Sequence, residues 1–418
     1  MRGDDLLDQH TYKQLRTDQL IWERAKAAGL SRRRFLEVLT AAGAGAAVVT
    51  GIGPQAVRAQ TPTPAPSDLV VKPTPAEYFY ELGSNREMRW ESMYSRGYVV
   101  PNELFFIRNH SRTARGIDAA SWRLRVEGTG VATPREFTYD EILAFPSVTV
   151  TRFVECAGNG RSFFEAPYGK KAAGGQWKFG AIGVAEWTGV PLHEVLDRVG
   201  LRHTAQDVMP EGLDELKVRR SMPVTKALAD DTLLVYAMNG QILPPDHGFP
   251  VRMLVPGWVG VANIKWLGRI EVSDKPLFSA WNTESYVLVG PGYKPAPPAQ
   301  GPILTFQTVK SAFELGWDAD VTAGRRLLRG RSWSARGKIA KVEVSLDREV
   351  TWQQARLREP NIGQAWVRWD LDWDARPGTY SLRARATDEH GNRQPASTPW
   401  NDQGYLYGAV VGHPVTVR

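Results

Sequence analysis

The chain has 418 residues, 42% hydrophobic and 23% charged, enough for two or three folded domains and unlike a disordered or collagen-like chain. Basic residues exceed acidic ones by seven, but residues 1–59 hold three of that excess. The remaining +4 does not point to nucleic acid, and the single cysteine, Cys156, excludes intramolecular disulfides, thiolate-rich zinc or iron–sulfur sites and covalent c-type haem.

In chain order, Ser31-Arg32-Arg33-Arg34-Phe35-Leu36 precedes a weakly apolar stretch from Val38 to Gly53 and a small-residue exit at Val57-Arg58-Ala59. That order reads as an export signal over residues 1–59, and the arginine pair is similar to the twin-arginine type. Residues 60–76 are rich in Pro and Thr and read as a linker. Leu104–Ile107 and Trp122–Val126 read as strands, and Pro191–Val199 as a helix with proline near its first turn. Five prolines and three glycines between Gly290 and Pro302 mark a boundary between a region over 77–290 and another over 302–418. Beyond it Lys341–Leu346, Val367–Trp373 and Tyr380–Ala386 alternate with period two, which predicts a β-sandwich. The expected fold class is α+β followed by an immunoglobulin-like β-sandwich.

Cys156 stands where an apolar strand, Phe153-Val154-Glu155, enters the loop Ala157-Gly158-Asn159-Gly160-Arg161. A lone cysteine in a strand is ordinarily a small buried residue. Here two glycines allow close backbone approach, and Arg161 supplies a cation that favours thiolate.

The Cys-Ala-Gly-Asn-x-Arg segment resembles the signature of the sulfite oxidase family of molybdopterin enzymes. Three further segments are similar to that family in order: Phe106-Ile107-Arg108-Asn109-His110, Pro245 to Arg252, and Gly257 to Gly268. The resemblance implies a sulfite-oxidase-like molybdopterin-binding domain followed by a dimerisation domain, with Mo-molybdopterin as cofactor. It implies Cys156 as the metal ligand, and Arg108 and Arg161 as residues that orient or neutralise an anionic substrate. Cofactor contacts are implied for Phe106, Ile107, Arg108, Asn109, His110, Asp214, His247, Arg252, Asn263, Ile264 and Lys265. A soft thiolate suits such a metal, and these cations suit a ligand carrying phosphate.

The implied activity is oxidation of reduced sulfur by oxygen-atom transfer, with electrons leaving to an external c-type cytochrome. A periplasmic location, no membrane anchor after signal cleavage, and a homodimer or a complex with a cytochrome subunit follow from the same resemblance. Two departures bear on the substrate. The stretch before Ser221-Met222-Pro223 is Lys217-Val218-Arg219-Arg220 and lacks an expected tyrosine. Asp402-Gln403 stands where a second arginine is expected after Trp400-Asn401. Arg219 or Arg220 is the candidate replacement charge. The substrate is then either free sulfite or sulfane sulfur on a carrier protein, as in the sulfane dehydrogenase subunit of the thiosulfate-oxidising system. Two further readings are a superfamily reductase of sulfoxide-type substrates and a non-catalytic exported protein with an unmetallated Cys156.

Overall fold

In the computed structural model, which describes residues 69–418, strands dominate and helices are short, none of the α-helices exceeding seven residues. The expected α+β mixture is therefore a β-rich one. The export-signal expectation over 1–59, and the linker expectation as far as residue 68, lie outside the described residues.

The first region has a two-stranded sheet, Phe79–Leu82 with Asn85–Met88, and two larger ones. One runs in the order Gln241–Ile242, Leu233–Met238, Ile182–Pro191, Val148–Glu155, all antiparallel, with Arg252–Leu254 also paired to Leu233–Met238. The central strand Leu233–Met238 is buried on both faces, as its unbroken apolar run Leu-Leu-Val-Tyr-Ala-Met requires. The other sheet runs Arg135–Thr138, Arg123–Glu127, Leu267–Ser273, Asp207–Gly212, Met222–Pro223, with its one parallel pairing between Arg123–Glu127 and Leu267–Ser273. The predicted strand at Trp122–Val126 is thus Arg123–Glu127, and the predicted helix after Pro191 is Leu192–Arg198. Helix Tyr139–Ala144 opens with a capping box in which Thr138 and Glu141 exchange side-chain-to-backbone bonds.

Leu104–Ile107 is not a strand. The amides of Leu104 and Phe105 both turn back to the Pro101 carbonyl, and only Ile107 pairs, with Arg86. Its apolar run is explained by burial in a turn, not by a sheet face.

Beyond residue 309 two further sheets share a core that includes Val342, Val344, Trp369 and Leu382. One runs Lys310–Phe313, Gly324–Trp333, Trp366–Ala375, Arg356–Arg358. The other runs Ala319–Val321, His413–Val417, Gly378–Asp388, Ile339–Ser345, Gln353–Gln354, with Ala319–Val321 parallel to its neighbour. All three period-two segments are strands here. The Pro/Gly-rich stretch from 290 to 302 folds back on itself, the Leu288 amide bonding the Pro302 carbonyl at 2.9 Å. A hydrophobic cluster runs across it, joining Phe153, Val154, Cys156 and Trp187 to Ala312, Trp333 and Trp366. The described residues belong to one compact unit.

Candidate functional site

The strand Val148–Glu155 ends at Cys156, whose amide donates at 2.9 Å to the carbonyl of Ala181, just before the paired strand Ile182–Pro191. The loop then turns tightly. The Gly158 amide approaches Cys156 Sγ at 3.4 Å, and the Asn159 amide returns to the Cys156 carbonyl at 3.0 Å. A side chain at Gly158 would strike the Arg161 guanidinium at 2.6 Å, and Gly160 sits at φ 92°, so both glycines are geometrically required.

A pocket opens in front of Cys156. Its wall includes eleven of the residues named from the sequence: Phe106, Arg108, Asn109, His110, Cys156, Asp214, His247, Arg252, Asn263, Ile264 and Lys265. Ile107 is not on that wall. It is fully buried beneath it and exchanges two backbone bonds with Arg86, so it supports the pocket from outside. Arg161 is not on it either. Its guanidinium is held by the carbonyls of Gln403 and Gly175 at 2.8 and 2.9 Å, and lies 5.3 Å from the Tyr405 ring centre. Arg161 therefore braces the cysteine loop against the C-terminal segment.

Arg108 lines the same pocket as Cys156 and donates to the Asn109 carbonyl at 2.7 Å. Burial opposes its charge, but Tyr286, Cys156 and Tyr405 hold its pKa above the ordinary value. Asn109 takes a hydrogen bond from Lys265, which also donates to the Asp246 carbonyl at 2.8 Å. Arg252 donates to the carbonyls of His247 and Asn263 at 3.0 and 3.2 Å and covers the Trp187 ring. The His247 ring meets Phe105 edge-on at 5.3 Å, and its turn, Pro245–His247, is closed by Gly248. Asp214 caps a turn through the Val218 amide at 3.0 Å.

Burial dominates the electrostatics. It pushes Lys265, His110 and His247 well below their ordinary pKa values, with neighbouring cations adding to the effect on each. It brings Arg252 down to about 9, and raises Asp214. The lining sets Arg108, Arg252 and Lys265 against Asp214 and Asp246, an excess of basic groups that an anionic ligand would relieve.

Several site residues were not legible in the sequence. Lys72, read as linker, is buried: its ammonium donates to the Asn102 carbonyl at 2.9 Å and the Phe105 carbonyl at 2.5 Å, and lies 3.4 Å from His247 Nε2. The amides of Val71 and Lys72 clamp the Asp246 carboxylate, which also accepts from Thr113. Tyr286 brings a phenol into the pocket, 2.8 Å from His110 Nε2 and stacked on Tyr405 at 5.1 Å. The stretch before Ser221 lacks a tyrosine as expected, and the pocket's phenol comes from a later segment. No sequence pattern marks Tyr286; only its position between Trp281 and the Pro/Gly-rich stretch does. Of the two replacement arginines, Arg219 is half-exposed and paired with Glu211. Arg220 is buried, donates to the carbonyls of Trp281 and Leu304, and feels both phenols.

Among the described residues no group of three or more His, Cys, Asp or Glu side chains is arranged to hold a metal ion. One thiol can supply one ligand, so any metal here must bring most of its coordination with it. A metal carried by an anionic organic ligand fits that donor set: sulfur at one end of the pocket, Lys265, Arg252 and His247 at its wall.

Comparison with known proteins agrees with this chemistry. The family model for the oxidoreductase molybdopterin binding domain matches residues 110–281, and that for the Mo-co oxidoreductase dimerisation domain matches residues 314–411. Sulfite oxidase from Gallus gallus is 37% identical over 333 residues, covering 74% of this chain and 71% of that protein. Mitochondrial sulfite oxidase from Rattus norvegicus is 34% identical, covering 75% of this chain and 61% of that protein, so the chain spans about three fifths of that relative's length. Among solved structures, the sulfane dehydrogenase SoxCD from Paracoccus pantotrophus is similar with a TM-score of 0.70 and 28% identity, over 88% of this chain and 98% of that one.

Proposed function

The chain belongs to the sulfite oxidase family of molybdopterin-dependent oxidoreductases, and on that premise we propose that it oxidises a small anionic reduced-sulfur compound, sulfite in the first reading. The observation that carries this reading is Cys156 at the end of a pocket whose wall includes Arg108, Lys265 and the buried Arg252. When bound, the molybdenum cofactor supplies the transferred oxygen atom and takes up the two electrons released as sulfite and water become sulfate and two protons.

The protein's own residues do the rest. Cys156 would hold the metal, while Lys265 and Arg252 would neutralise, and His247 would help to orient, the organic part of the cofactor. His110 and His247 stay neutral at physiological pH because of their burial, so they serve as hydrogen-bonding groups and not as extra charges. Arg108, fixed beside the sulfur, is the cation that draws an oxyanion to the reacting end. Tyr286, bridged to His110, presents a phenol whose pKa is raised by burial, a neutral donor to a substrate oxygen. Arg161 acts on the substrate only through the loop it braces.

Carrier-bound sulfane sulfur is the second reading. It is favoured by the near-complete coverage of the sulfane dehydrogenase structure and by Gln403 standing where an arginine was expected. Tyr286 removes the other argument against free sulfite. We assign 77–290 to cofactor binding and 302–418 to a dimerising, immunoglobulin-like sandwich. Electrons leave to an external c-type cytochrome in the periplasm, the export signal being the support for that location. No helix among the described residues is long and apolar enough to cross a membrane. Metal analysis together with sulfite-dependent reduction of cytochrome c tests the proposal. Protein without stoichiometric molybdenum refutes it, and turnover on sulfite with no carrier protein rejects the sulfane reading.

A further inference from the structure

The geometry points to a second duty for the C-terminal sheets: Lys310 and Trp333 hold the loop that carries Cys156, and Lys310 is a positioning residue for its sulfur. The inference rests on the reading of Cys156 as the metal ligand.

Glu155, the residue before Cys156, has a fully buried carboxylate with a complete set of partners. Its Oε1 accepts from Lys310 Nζ at 2.6 Å and from Asn159 Nδ2 at 2.9 Å, and its Oε2 accepts from Trp333 Nε1 at 3.0 Å. Its main-chain carbonyl accepts from Gln307 Nε2 at 2.7 Å. Lys310 and Glu155 both have side chains of 0% exposure. Gln307, Lys310 and Trp333 all follow the Pro/Gly-rich stretch, and Lys310 and Trp333 are cross-strand partners in one register, so a single sheet end grips a single carboxylate.

That carboxylate ties the two ends of the cysteine loop. Glu155 precedes Cys156, and Asn159 follows it by three residues. Asn159 also accepts the Ala181 amide at 3.0 Å, while the Cys156 amide donates to the Ala181 carbonyl. Residues 156 and 159 are both bonded to Ala181, and 159 also to the Glu155 carboxylate, leaving the thiol little freedom between them. A buried ion pair is a poor way to gain stability, since an apolar pair of equal volume packs at lower cost; its documented use is to select one arrangement. Here the arrangement selected is the direction of Cys156. The sheet that enters the region matched as a dimerisation domain therefore reaches the residue before the metal ligand through Trp333, inside that match, and Lys310, just before it.

The test is the full-length double variant Glu155→Gln/Lys310→Met, which keeps an acceptor for one of Trp333 and Asn159 and leaves no lone buried charge. Val344→Ala, in the core between the two C-terminal sheets, serves as a reference for loss of thermal stability alone. Three readouts apply: molybdenum per chain, the sulfur-to-metal charge-transfer absorption of the loaded protein, and the rate at which iodoacetamide labels Cys156 in metal-free protein. The double variant is expected to label at least tenfold faster than the parent and to shift the charge-transfer band, while Val344→Ala changes neither. Labelling within twofold of the parent together with the parental absorption overturns the inference. A parent chain that binds no molybdenum refutes the metal-ligand reading instead, and the labelling rates then decide the positioning role by themselves.

Discussion

Replacing Lys72 by methionine should change how the stability of the cofactor-free protein depends on pH. The Lys72 ammonium is buried with Asp246 and Glu103 as its nearby negative charges and His247 beside it. Burial outweighs those carboxylates and lowers its pKa from 10.5 to about 7. The unfolded chain keeps this proton until about pH 10.5. Between pH 7 and 9.5 the unfolded state therefore binds more protons than the folded one, and stability rises with pH. At about 1.36 kcal/mol per proton and pH unit, the lysine contributes a rise of roughly 3 kcal/mol across that interval. Methionine removes the titration. It also strips a donor from the carbonyls of Asn102 and Phe105, but that cost is the same at both pH values. Urea unfolding of parent and Lys72→Met at pH 7.0 and 9.5 isolates the difference. The parent should gain about 3 kcal/mol more than the variant between the two. Equal gains would show that Lys72 keeps its proton in the folded protein as an exposed lysine does, and would remove the argument that burial against the pocket lowers its pKa.

Three other outcomes are expected. Cys156→Ser should leave the fold intact at a cost of about 1 kcal/mol, since the residue is small, while molybdenum content and sulfite turnover fall to background. Arg252→Met preserves the packing over Trp187 but removes two donors and a cation, so cofactor retention after gel filtration should weaken by about tenfold to a hundredfold. Tyr286→Phe keeps the stack on Tyr405 and loses the bond to His110. Sulfite turnover should fall by about tenfold or more with cofactor content unchanged; undiminished turnover would take the phenol out of the reaction.

The cation set of the pocket was legible before any coordinates because it sits in short, ordered segments, and each segment stays local: Arg108 to His110 in one turn, His247 to Arg252 in another, Asn263 to Lys265 in a third. The period-two strands were equally legible, since alternation is written residue by residue. Leu104–Ile107 misled for the converse reason. An apolar run reports burial, and burial in a turn closed on Pro101 looks the same as burial in a sheet.

What composition and motif order determined by themselves was the chemistry: one thiol, one family of cofactor, and an anionic ligand expected by Arg252, His247 and Lys265. The tertiary structure alone decided which groups stand together. Lys72 and Tyr286 lie 84 residues before and 130 residues after Cys156 and carry no motif, so nothing short of the folded chain could place them at the pocket. It also moved Arg161 off the pocket wall and brought Lys310 to Glu155. A hydrogen bond or a buried charge is satisfied by whatever the fold brings within about 3 Å, and sequence separation does not enter that distance.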